Sequence, residues 1–380
     1  MNTQLEQCIN AFGTFQLQRL PLQKGQSLRA WDAADEYLLK HCAANQLLKS
    51  DSKVLIINDQ FGALNTSLNQ YATQSWSDSY INELSSLHNL RINHLDQTLQ
   101  VVPSTEEPQG IFDLVLIKIP KTMALLEEQL IRLKPHITAD TVIISAAMVR
   151  NIHNSTLELF ERILGTTHTS LAQKKARLVF TKYEKTDAIK PPFPNNIHIK
   201  SLGIYLSNHA NVFSKNKLDY ASLLLLEQFK LLPPSKHIVD LGCGNGILGL
   251  IAQKHQPESQ ISFLDESYMA IASAQMNYTN LYKEKTSARF IISDGLSELP
   301  KSDELDLVLC NPPFHQQHSI GDQIAWRMFT HSWQRLKQDG ELWIVGNQHL
   351  KYSAKLKKIF GNSRIVASNE KFQVIAATKK

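Results

Sequence analysis

The second half of the chain alternates short apolar runs with longer stretches of helical periodicity. Residues 238–241, 261–264 and 305–310 form runs bounded by turn residues, a pattern that predicts buried strands. Strands that alternate with helices predict a mostly parallel sheet. The last two runs, 364–368 and 372–378, are separated by only three residues, which predicts an antiparallel hairpin added to that sheet. We therefore expect an α/β domain.

A glycine-rich turn follows the first of these strands and leads into a helical stretch. Glycines allow positive φ and a close approach of a ligand to the backbone, next to the free N–H groups of the helix start. The next strand ends in Asp265, about 20 residues further on, where an acid binds ribose hydroxyls in dinucleotide folds. A third strand ends before Asp294, whose carboxylate is placed to accept a hydrogen bond from an adenine amino group. The predicted cofactor-binding residues here are Gly242, Gly244, Asn245, Gly246, Asp265 and Asp294.

The spacing of the glycines separates the candidate cofactors. The turn reads Gly-x-Gly-x-Gly rather than the Gly-x-Gly-x-x-Gly of nicotinamide enzymes, and Asp240 precedes it. It resembles the S-adenosylmethionine pattern, in which an acid at this place holds the methionine ammonium. We therefore expect S-adenosyl-L-methionine as the cofactor, with Asp240 among its ligands, and another nucleotide cofactor as the alternative.

The tetrapeptide Asn311-Pro312-Pro313-Phe314 follows the fourth strand and is rich in acceptors. Two consecutive prolines fix the backbone torsions and remove two N–H donors. The Asn311 side-chain oxygen and the Pro312 carbonyl then suit an amino group on a flat base, and Phe314 supplies a stacking surface. The segment resembles the Asn-Pro-Pro-aromatic signature of methyltransferases that alkylate planar amino nitrogens, and Phe in the fourth place resembles those acting on guanine N2. Alone, Asn-Pro is also an ordinary turn starter.

The candidate site residues form a catalytic set and a weaker substrate-binding set. We assign Asn311, Pro312 and Phe314 to catalysis, and Pro313, Phe213, His315 and Asn347 to substrate binding. Phe213 precedes the first strand of the domain, where a packed core ring is the alternative. Asn347 is a candidate on its position alone. His315 and His318 are three residues apart but have no third ligand in register, so no metal site is expected.

Composition and charge narrow the class of partner. The chain has 43% hydrophobic and 20% charged residues, no secretory signal at its start and no apolar stretch of membrane-spanning length, so we expect a cytoplasmic location. The net charge is +5, and the segment from residue 349 to 380 carries eight basic residues against one acid. A basic stripe suits a polyanion such as RNA, and a solvated helix face is the equal alternative.

The first half of the chain repeats the order of the second half with the chemistry removed. Aligning Gly62 with Gly246 shows that the acid and two of the three glycines are replaced. The replacements are Ile56 at Asp240, Asn58 at Gly242 and Gln60 at Gly244. A segment at Asp78 resembles the one at Asp265. We predict that this copy does not hold a cofactor.

The catalytic strand also has a counterpart, in residues 112–121. There Lys118 replaces Asn311 and Lys121 replaces Phe314, which puts two cations where they are able to touch phosphates. A polar and proline-rich stretch separates the copies and reads as a stiff linker. We place the domains at 1–188 and 197–380, with the linker at 189–196.

Several segments of the second half together resemble one family. These segments are 208–214 with Leu218 and Asp219, the glycine turn, Asn311 to His315, and 340–345. They look like the bacterial ribosomal RNA guanine-N2 methyltransferases built from a degenerate and an active copy of one domain. Four segments of the first half resemble the large-subunit branch of that family, namely 30–39, 58–64, 117–122 and 153–160.

This resemblance implies two tandem class I (Rossmann-like) methyltransferase domains, each a mostly parallel sheet with an antiparallel last strand. It implies transfer of one methyl group to N2 of a guanine in 23S rRNA, on RNA not yet packed with proteins, with the N-terminal copy as an RNA-docking module. The alternatives are a 16S rRNA guanine-N2 methyltransferase, a methyltransferase for protein glutamine amides and a non-catalytic RNA-binding factor. The intact Asp240, glycine turn and Asn311 argue against the last.

Overall fold

The computed structural model describes residues 6–22, 28–95, 99–185, 187, 189–212, 218–283, 288–313 and 318–380, without the side chains of 318–321. The chain divides into two compact units, Met1–Pro192 and Phe193–Lys380. Within the described part of the chain, no helix has both the length and the apolar content that crossing a membrane requires.

The first unit contains a small hairpin and a larger sheet with helices. Its strands are β1 (Glu6–Asn10), β2 (Gly13–Leu17), β3 (Lys53–Ile57), β4 (Ala72–Ser77), β5 (Gln100–Pro103), β6 (Leu114–Lys118), β7 (Val142–Met148), β8 (Thr167–Thr169) and β9 (Ala176–Thr181). Its helices are α1 (Ala33–Ala44), α2 (Ala63–Ser67), α3 (Tyr80–Ile92), α4 (Met123–Leu133) and α5 (Asn154–Ile163), with 3₁₀ turns at Lys134–His136 and Val149–Asn151.

The second unit repeats this plan. Its strands are β10 (Asn195–Ile199), β11 (Ile204–Asn208), β12 (His237–Leu241), β13 (Gln260–Asp265), β14 (Ala288–Ile292), β15 (Leu305–Cys310), β16 (Leu336–Asn347), β17 (Arg364–Ser368) and β18 (Phe372–Thr378). Its helices are α6 (Tyr220–Leu226), α7 (Ile247–His255), α8 (Tyr268–Tyr282), α9 (His318–Arg335) and α10 (Tyr352–Phe360), with 3₁₀ turns at Phe229–Leu231 and Gln348–Leu350.

The two large sheets have the same strand order. It is β5-β4-β3-β6-β7-β9-β8 in the first unit and β14-β13-β12-β15-β16-β18-β17 in the second. In this order the first five strands of each sheet pair in parallel, because helices return the chain to the same end of the sheet. The last two pairings in each sheet are antiparallel. The predicted duplicated fold, with its antiparallel ending, is confirmed.

The core of the second unit lies on both faces of its sheet. Successive side chains of a strand alternate between these faces, and this alternation determines the face on which a polar residue just beyond a strand lies. One cluster packs α6, α7 and α8 on one face, and another packs α9 and α10 on the opposite face. From β15 and β16 the first cluster takes Leu307, Leu309, Trp343 and Val345. With a period of two, the next residues on that face are Asn311 and Asn347.

The start of the second unit differs in detail from the sequence prediction. Asn195 and Asn196, which we placed in the linker, begin β10 and pair with Asn208 and Ser207 of β11. The Asn196 carboxamide oxygen also accepts a hydrogen bond from the Ser207 hydroxyl. Polar residues at a strand start have no apolar pattern, so their pairing partner becomes visible only in the fold.

Candidate active site

The glycine turn joins β12 to α7 in left-handed backbone. The φ angles of Gly242, Gly244 and Gly246 are 69°, 54° and 84°. A Cβ at Gly246 would stand 3.0 Å from the Ala274 Cβ, so helix α8 packs directly against the turn. At Gly244 no atom of the described structure lies within 4 Å of a Cβ position, so there is open space beside its backbone. The turn is thus rigid on one side and accessible to a ligand on the other.

Asp240 lies at the end of β12 and is almost completely buried. One carboxylate oxygen accepts a hydrogen bond of 2.8 Å from the Gly249 N–H in the first turn of α7. Burial raises the pKa of Asp240 to about 8, and the nearby Asp265 adds to the shift. A buried carboxyl with a raised pKa is a receptor for a cation, since a bound ammonium would restore its charged form.

Asp265 connects two elements at the end of β13. One of its oxygens accepts from the Gly244 N–H at 3.0 Å, and the other accepts from the Ser267 N–H at 3.0 Å, just before α8. It therefore lies beside the open face of the glycine turn, where the sequence analysis placed a ribose-binding acid.

Asp294 has a partner that the sequence did not indicate. Its carboxylate forms an ion pair with the guanidinium of Arg327 from α9, and both side chains are largely buried. One carboxylate oxygen is therefore committed to the protein. A role in adenine binding for Asp294 remains a prediction and would depend on the other oxygen.

Asn245 uses its side chain within the protein. Its amide nitrogen donates to the Asn208 carboxamide at the end of β11, at 3.0 Å. The Asn277 amide, from α8, donates to the backbone oxygens of both Asn245 and Ser207. These contacts hold the turn against β11 and engage both the side-chain amide and the backbone carbonyl of Asn245. Asn277 was not identified from the sequence, where a polar residue within a helix carries no signal.

Asn311 directly follows β15 and is held by helix α6. Its amide nitrogen donates to the Asp219 carboxylate at 3.1 Å and to the Ser222 hydroxyl at 2.9 Å. Asp219 is itself fixed as the N-cap of α6, because it accepts from the Ser222 N–H. A carboxylate cannot donate, so the nitrogen of the Asn311 amide must face Asp219 and the oxygen must face away from it.

The Asn311 oxygen is buried and has no hydrogen-bond partner in the described structure. The same is true of the Asn347 oxygen. Leaving a buried acceptor unsatisfied costs about 1–3 kcal/mol, so a ligand that brings a donor would stabilise either atom. Pro312 is buried and Pro313 is exposed. Phe213, Phe314 and His315 lie outside the described residues, so their assignments stay predictions.

The matching position of the first unit is closed by an ion cluster. The Lys118 ammonium lies 2.7 Å from Asp32 and 2.6 Å from Asp35, and it is buried. Burial alone would lower the pKa of Lys118, but the two carboxylates raise it. Burial raises the pKa of Asp35 to about 7, against the effect of Lys118. The expectation that Lys118 touches phosphates is wrong, because its charge is already neutralised inside the unit. Lys121 is exposed.

The sheet register also corrects the counterpart of Asp265. Ile57 pairs with Trp76 in the first unit as Leu241 pairs with Leu264 in the second, so Ser77 matches Asp265. Asp78 matches the following residue of the second unit, Glu266. The first unit therefore has Ser77 in place of Asp265, the acid that we predict to bind ribose.

The cysteines have no catalytic arrangement. All four are free and buried, and burial raises the pKa of Cys243 and Cys310 well above the ordinary value, so both remain thiols. In the part of the chain that the structure describes, no group of three or more His, Cys, Asp or Glu side chains is arranged to hold a metal ion.

Comparison with known proteins identifies the family. The RLMG N-terminal domain matches residues 5–185, and the methyltransferase small domain matches residues 203–376. The chain is 45% identical over 378 residues to ribosomal RNA large subunit methyltransferase G of Yersinia pseudotuberculosis, covering 97% of this chain and 93% of that protein. The Yersinia enterocolitica protein of that name is 45% identical over 380 residues, covering 96% and 92%. The chain belongs to the ribosomal RNA large subunit methyltransferase G family.

A solved structure shares the fold. It is a 16S rRNA N2 methyltransferase of T. thermophilus in complex with AdoMet and guanosine, with a TM-score of 0.76 and 20% identity, covering 100% of this chain and 98% of that one. Members of the methyltransferase G family are enzymes, and this chain is an S-adenosylmethionine-dependent methyltransferase. Its residues fit that cofactor, because the space beside Gly244 is open and Asp240 is a buried carboxyl with a raised pKa.

Proposed function

We propose that this chain transfers a methyl group from S-adenosylmethionine to the exocyclic N2 amine of one guanine in 23S rRNA. The reaction takes place in the cytoplasm, on RNA not yet packed with proteins. The relatives named for large-subunit ribosomal RNA support this substrate. The Asn-Pro-Pro-Phe tetrapeptide supports a planar amino nitrogen as the acceptor.

The observation that carries the proposal is the oriented amide of Asn311. Its nitrogen is held by Asp219 and Ser222, and its oxygen is buried without a donor in the described structure. An acceptor fixed in this way selects a substrate that brings an N–H group. Asn311 directly follows β15, which pairs with the strand that carries the glycine turn, and this supports a position of that N–H near the bound cofactor.

The residues act mainly by alignment. The N2 lone pair of guanine is conjugated into the ring, so the free amine is a poor nucleophile. Hydrogen bonds from N2 to the Asn311 oxygen and the Pro312 carbonyl would hold the nitrogen with its lone pair directed away from the acceptors. Positioning of this kind contributes several kcal/mol to lowering a barrier, about 7–11 kcal/mol in the most favourable cases.

The bound cofactor supplies an electrophilic methyl group on a sulfonium. Asn311 and Pro312 would hold N2 in line with that methyl group, so that formation of the carbon–nitrogen bond would be balanced by release of the thioether with the electron pair of its carbon–sulfur bond. N2 then loses one of its protons to water, so no strong base is needed before attack. Asn311 remains an acceptor throughout and stabilises the positive charge that develops on N2.

The target base must reach this pocket. In a paired region it has to be flipped out of the helix, and Phe314 then stacks on it. Phe213, His315, Pro313 and Asn347 complete the base pocket in this proposal. The proposed RNA-docking module is the first unit, where the exposed Lys121 rather than Lys118 is available to a phosphate.

The basic segment at residues 349–380 contributes a second RNA contact. Three of its eight cations already bind groups of the protein. Lys355 pairs with Asp322, Arg364 pairs with Glu341, and Lys379 donates to backbone carbonyls. The other five are exposed, namely Lys351, Lys357, Lys358, Lys371 and Lys380. We expect these five to increase the affinity for RNA in a salt-dependent manner.

The test is methyl transfer from labelled S-adenosylmethionine to protein-free 23S rRNA, protein-free 16S rRNA and assembled subunits, with nucleoside analysis of the product. N2-methylguanosine in free 23S rRNA alone is the expected result. Label in 16S rRNA would overturn the choice of subunit. Absence of label from every RNA, with the cofactor still bound, would reject the proposal in favour of a protein amide substrate.

A further inference from the structure

Two buried amide oxygens of the second unit lie at one edge of the sheet and on one face of it. The oxygens belong to Asn311 and Asn347, and neither has a donor in the described structure. Cys310 pairs with Ile344 in the parallel ladder between β15 and β16, so both asparagines extend from the carboxyl edge of neighbouring strands. Their side chains follow Leu309 and Val345, which pack in the same cluster, so they share a face.

Such a pair of acceptors is unfavourable unless a ligand satisfies it. Each buried acceptor without a partner costs about 1–3 kcal/mol, and two together are a large share of the stability of a domain. A ligand removes this cost if it brings one N–H donor to each of the two oxygens.

Guanine presents that pattern on its Watson–Crick edge. Its N2 amine and its N1–H are adjacent donors, whereas adenine has no amine at C2 and an acceptor at N1. We propose that Asn347 accepts the N1–H of the target guanine and is a specificity-determining residue of the reaction. This inference rests on the proposed function, in which Asn311 accepts the N2 amine.

The first unit supplies an internal comparison. Its ladder pairs Ile117 with Ser145, as Cys310 pairs with Ile344 in the second unit. Counting on from these pairs, Lys118 matches Asn311, and Met148 at the end of β7 matches Asn347. The copy that lost one acceptor has also lost the other, as expected if the two asparagines serve a single ligand.

The experiment measures binding of three nucleosides to the protein saturated with S-adenosylhomocysteine, by ligand-observed NMR. Guanosine carries both donors, inosine lacks the N2 amine, and 2-aminopurine riboside keeps that amine but lacks N1–H. Wild-type protein should bind guanosine about tenfold more tightly than either analogue, which corresponds to one hydrogen bond of about 1.4 kcal/mol.

Variants then assign each preference to a residue. Asn347→Ala should abolish the preference for guanosine over 2-aminopurine riboside and keep the preference over inosine. Asn347→Asp, which retains the acceptors but loses the amide donor, should keep both preferences. Gln338→Ala is the matched control, because Gln338 is exposed at the opposite end of β16.

The outcomes separate this inference from the proposed function. If wild-type protein does not distinguish guanosine from inosine, the assignment of N2 itself fails. If it distinguishes these two but Asn347→Ala leaves the preference over 2-aminopurine riboside intact, only the role of Asn347 is wrong. On 23S rRNA we expect Asn347→Ala to lower kcat/KM about tenfold with unchanged cofactor affinity. A parallel loss of cofactor affinity would indicate a structural role.

Discussion

The two units share one sheet order but end their fourth strands in opposite chemistry. In the second unit the N-cap residue of α6, Asp219, receives a hydrogen bond from the neutral amide of Asn311. In the first unit the N-cap residue of α1, Asp32, and its neighbour Asp35 receive the ammonium of Lys118. The lysine cluster satisfies itself, whereas the asparagine keeps an oxygen for a ligand. Lysine in place of asparagine, together with Asp35 in place of Ser222, therefore separates a closed ion cluster from a strand end with an unsatisfied acceptor.

The glycine turns show the same contrast between backbone and chemistry. Asn58 has a φ of 63°, close to the 69° of the matching Gly242, and Gly62 has 78° where Gly246 has 84°. Gln60 is not left-handed, whereas the matching Gly244 has a φ of 54°, so the turn keeps its backbone shape at two of these three positions. In the first unit the Asp59 carboxylate accepts from the Asn65 N–H, the helix position that Asp240 caps in the second unit. Both units therefore have a carboxylate at this helix start, and two different residues supply it. The open space beside Gly244, by contrast, contains no packing contact from the described residues. It matters for binding a ligand and not for folding.

The largest expected effect comes from removing the acceptor in the active copy. Asn311→Ala should lower kcat by about 10²- to 10³-fold, the usual loss for one preorganised contact to developing charge. Cofactor affinity, measured by calorimetry, should stay nearly unchanged, because in the proposed site the amide contacts the base and not the cofactor. A loss of cofactor affinity as large as the loss of kcat would contradict the assignment.

Removing the cation of the degenerate copy should affect stability instead. Lys118→Ala leaves Asp35 buried without a counter-ion and should lower the free energy of unfolding by about 3 kcal/mol at pH 8. The pKa of Asp35 is already about 7 beside Lys118 and will rise further without it, so the variant should regain stability as pH falls and Asp35 takes up a proton. Denaturant unfolding across this pH range measures the effect. A constant loss at all pH values would mean that the buried charge is not its cause.

A smaller effect is expected from freeing the amide of Asn311. Asp219→Ala removes one of the two acceptors that orient it and should lower kcat about tenfold, with KM for RNA little changed. Loss of the N-cap also costs about 1 kcal/mol of stability, which thermal unfolding will show. Asp219→Asn keeps an acceptor and a capping residue, and should retain most of the activity. Equal losses in both variants would rule out orientation through this hydrogen bond.

The last prediction concerns the effect of pH on cofactor affinity. The pKa of Asp240 is raised to about 8, so the free enzyme binds a proton there at neutral pH. A methionine ammonium favours the ionised carboxylate, so binding should release a proton and affinity should rise with pH, by up to about tenfold per unit, until about pH 8. Asp240→Asn should bind more weakly and lose this dependence in calorimetry. A flat profile for the wild type would show that Asp240 does not meet the ammonium.

The fold was predictable because its signals are local. The apolar runs that became β12, β13 and β15, the glycines before α7 and the short connection between β17 and β18 each specify one element from neighbouring residues. The duplication is also visible in the order of these elements. The tetrapeptide at Asn311 predicted acceptors for an amino group, because its two prolines lack N–H donors in any structural context.

The partners of the polar side chains were not predictable in this way. Lys118 looked available to phosphates, and its burial against Asp32 and Asp35 depends on a helix more than 80 residues away. The pairing of Asp294 with Arg327, and the match of Asp265 to Ser77, follow from sheet register and helix packing.

The sequence by itself determined two copies of one α/β fold, one of which keeps the glycine turn and the tetrapeptide that we propose to bind an amine. Only the tertiary structure decided which polar atoms remain available to a ligand. A hydrogen bond between residues far apart in the chain, such as that from Asn311 to Asp219, leaves no pattern along the sequence. It depends on the geometry of packed elements, and that geometry turns one strand end into a closed ion cluster and the other into a site with an open acceptor.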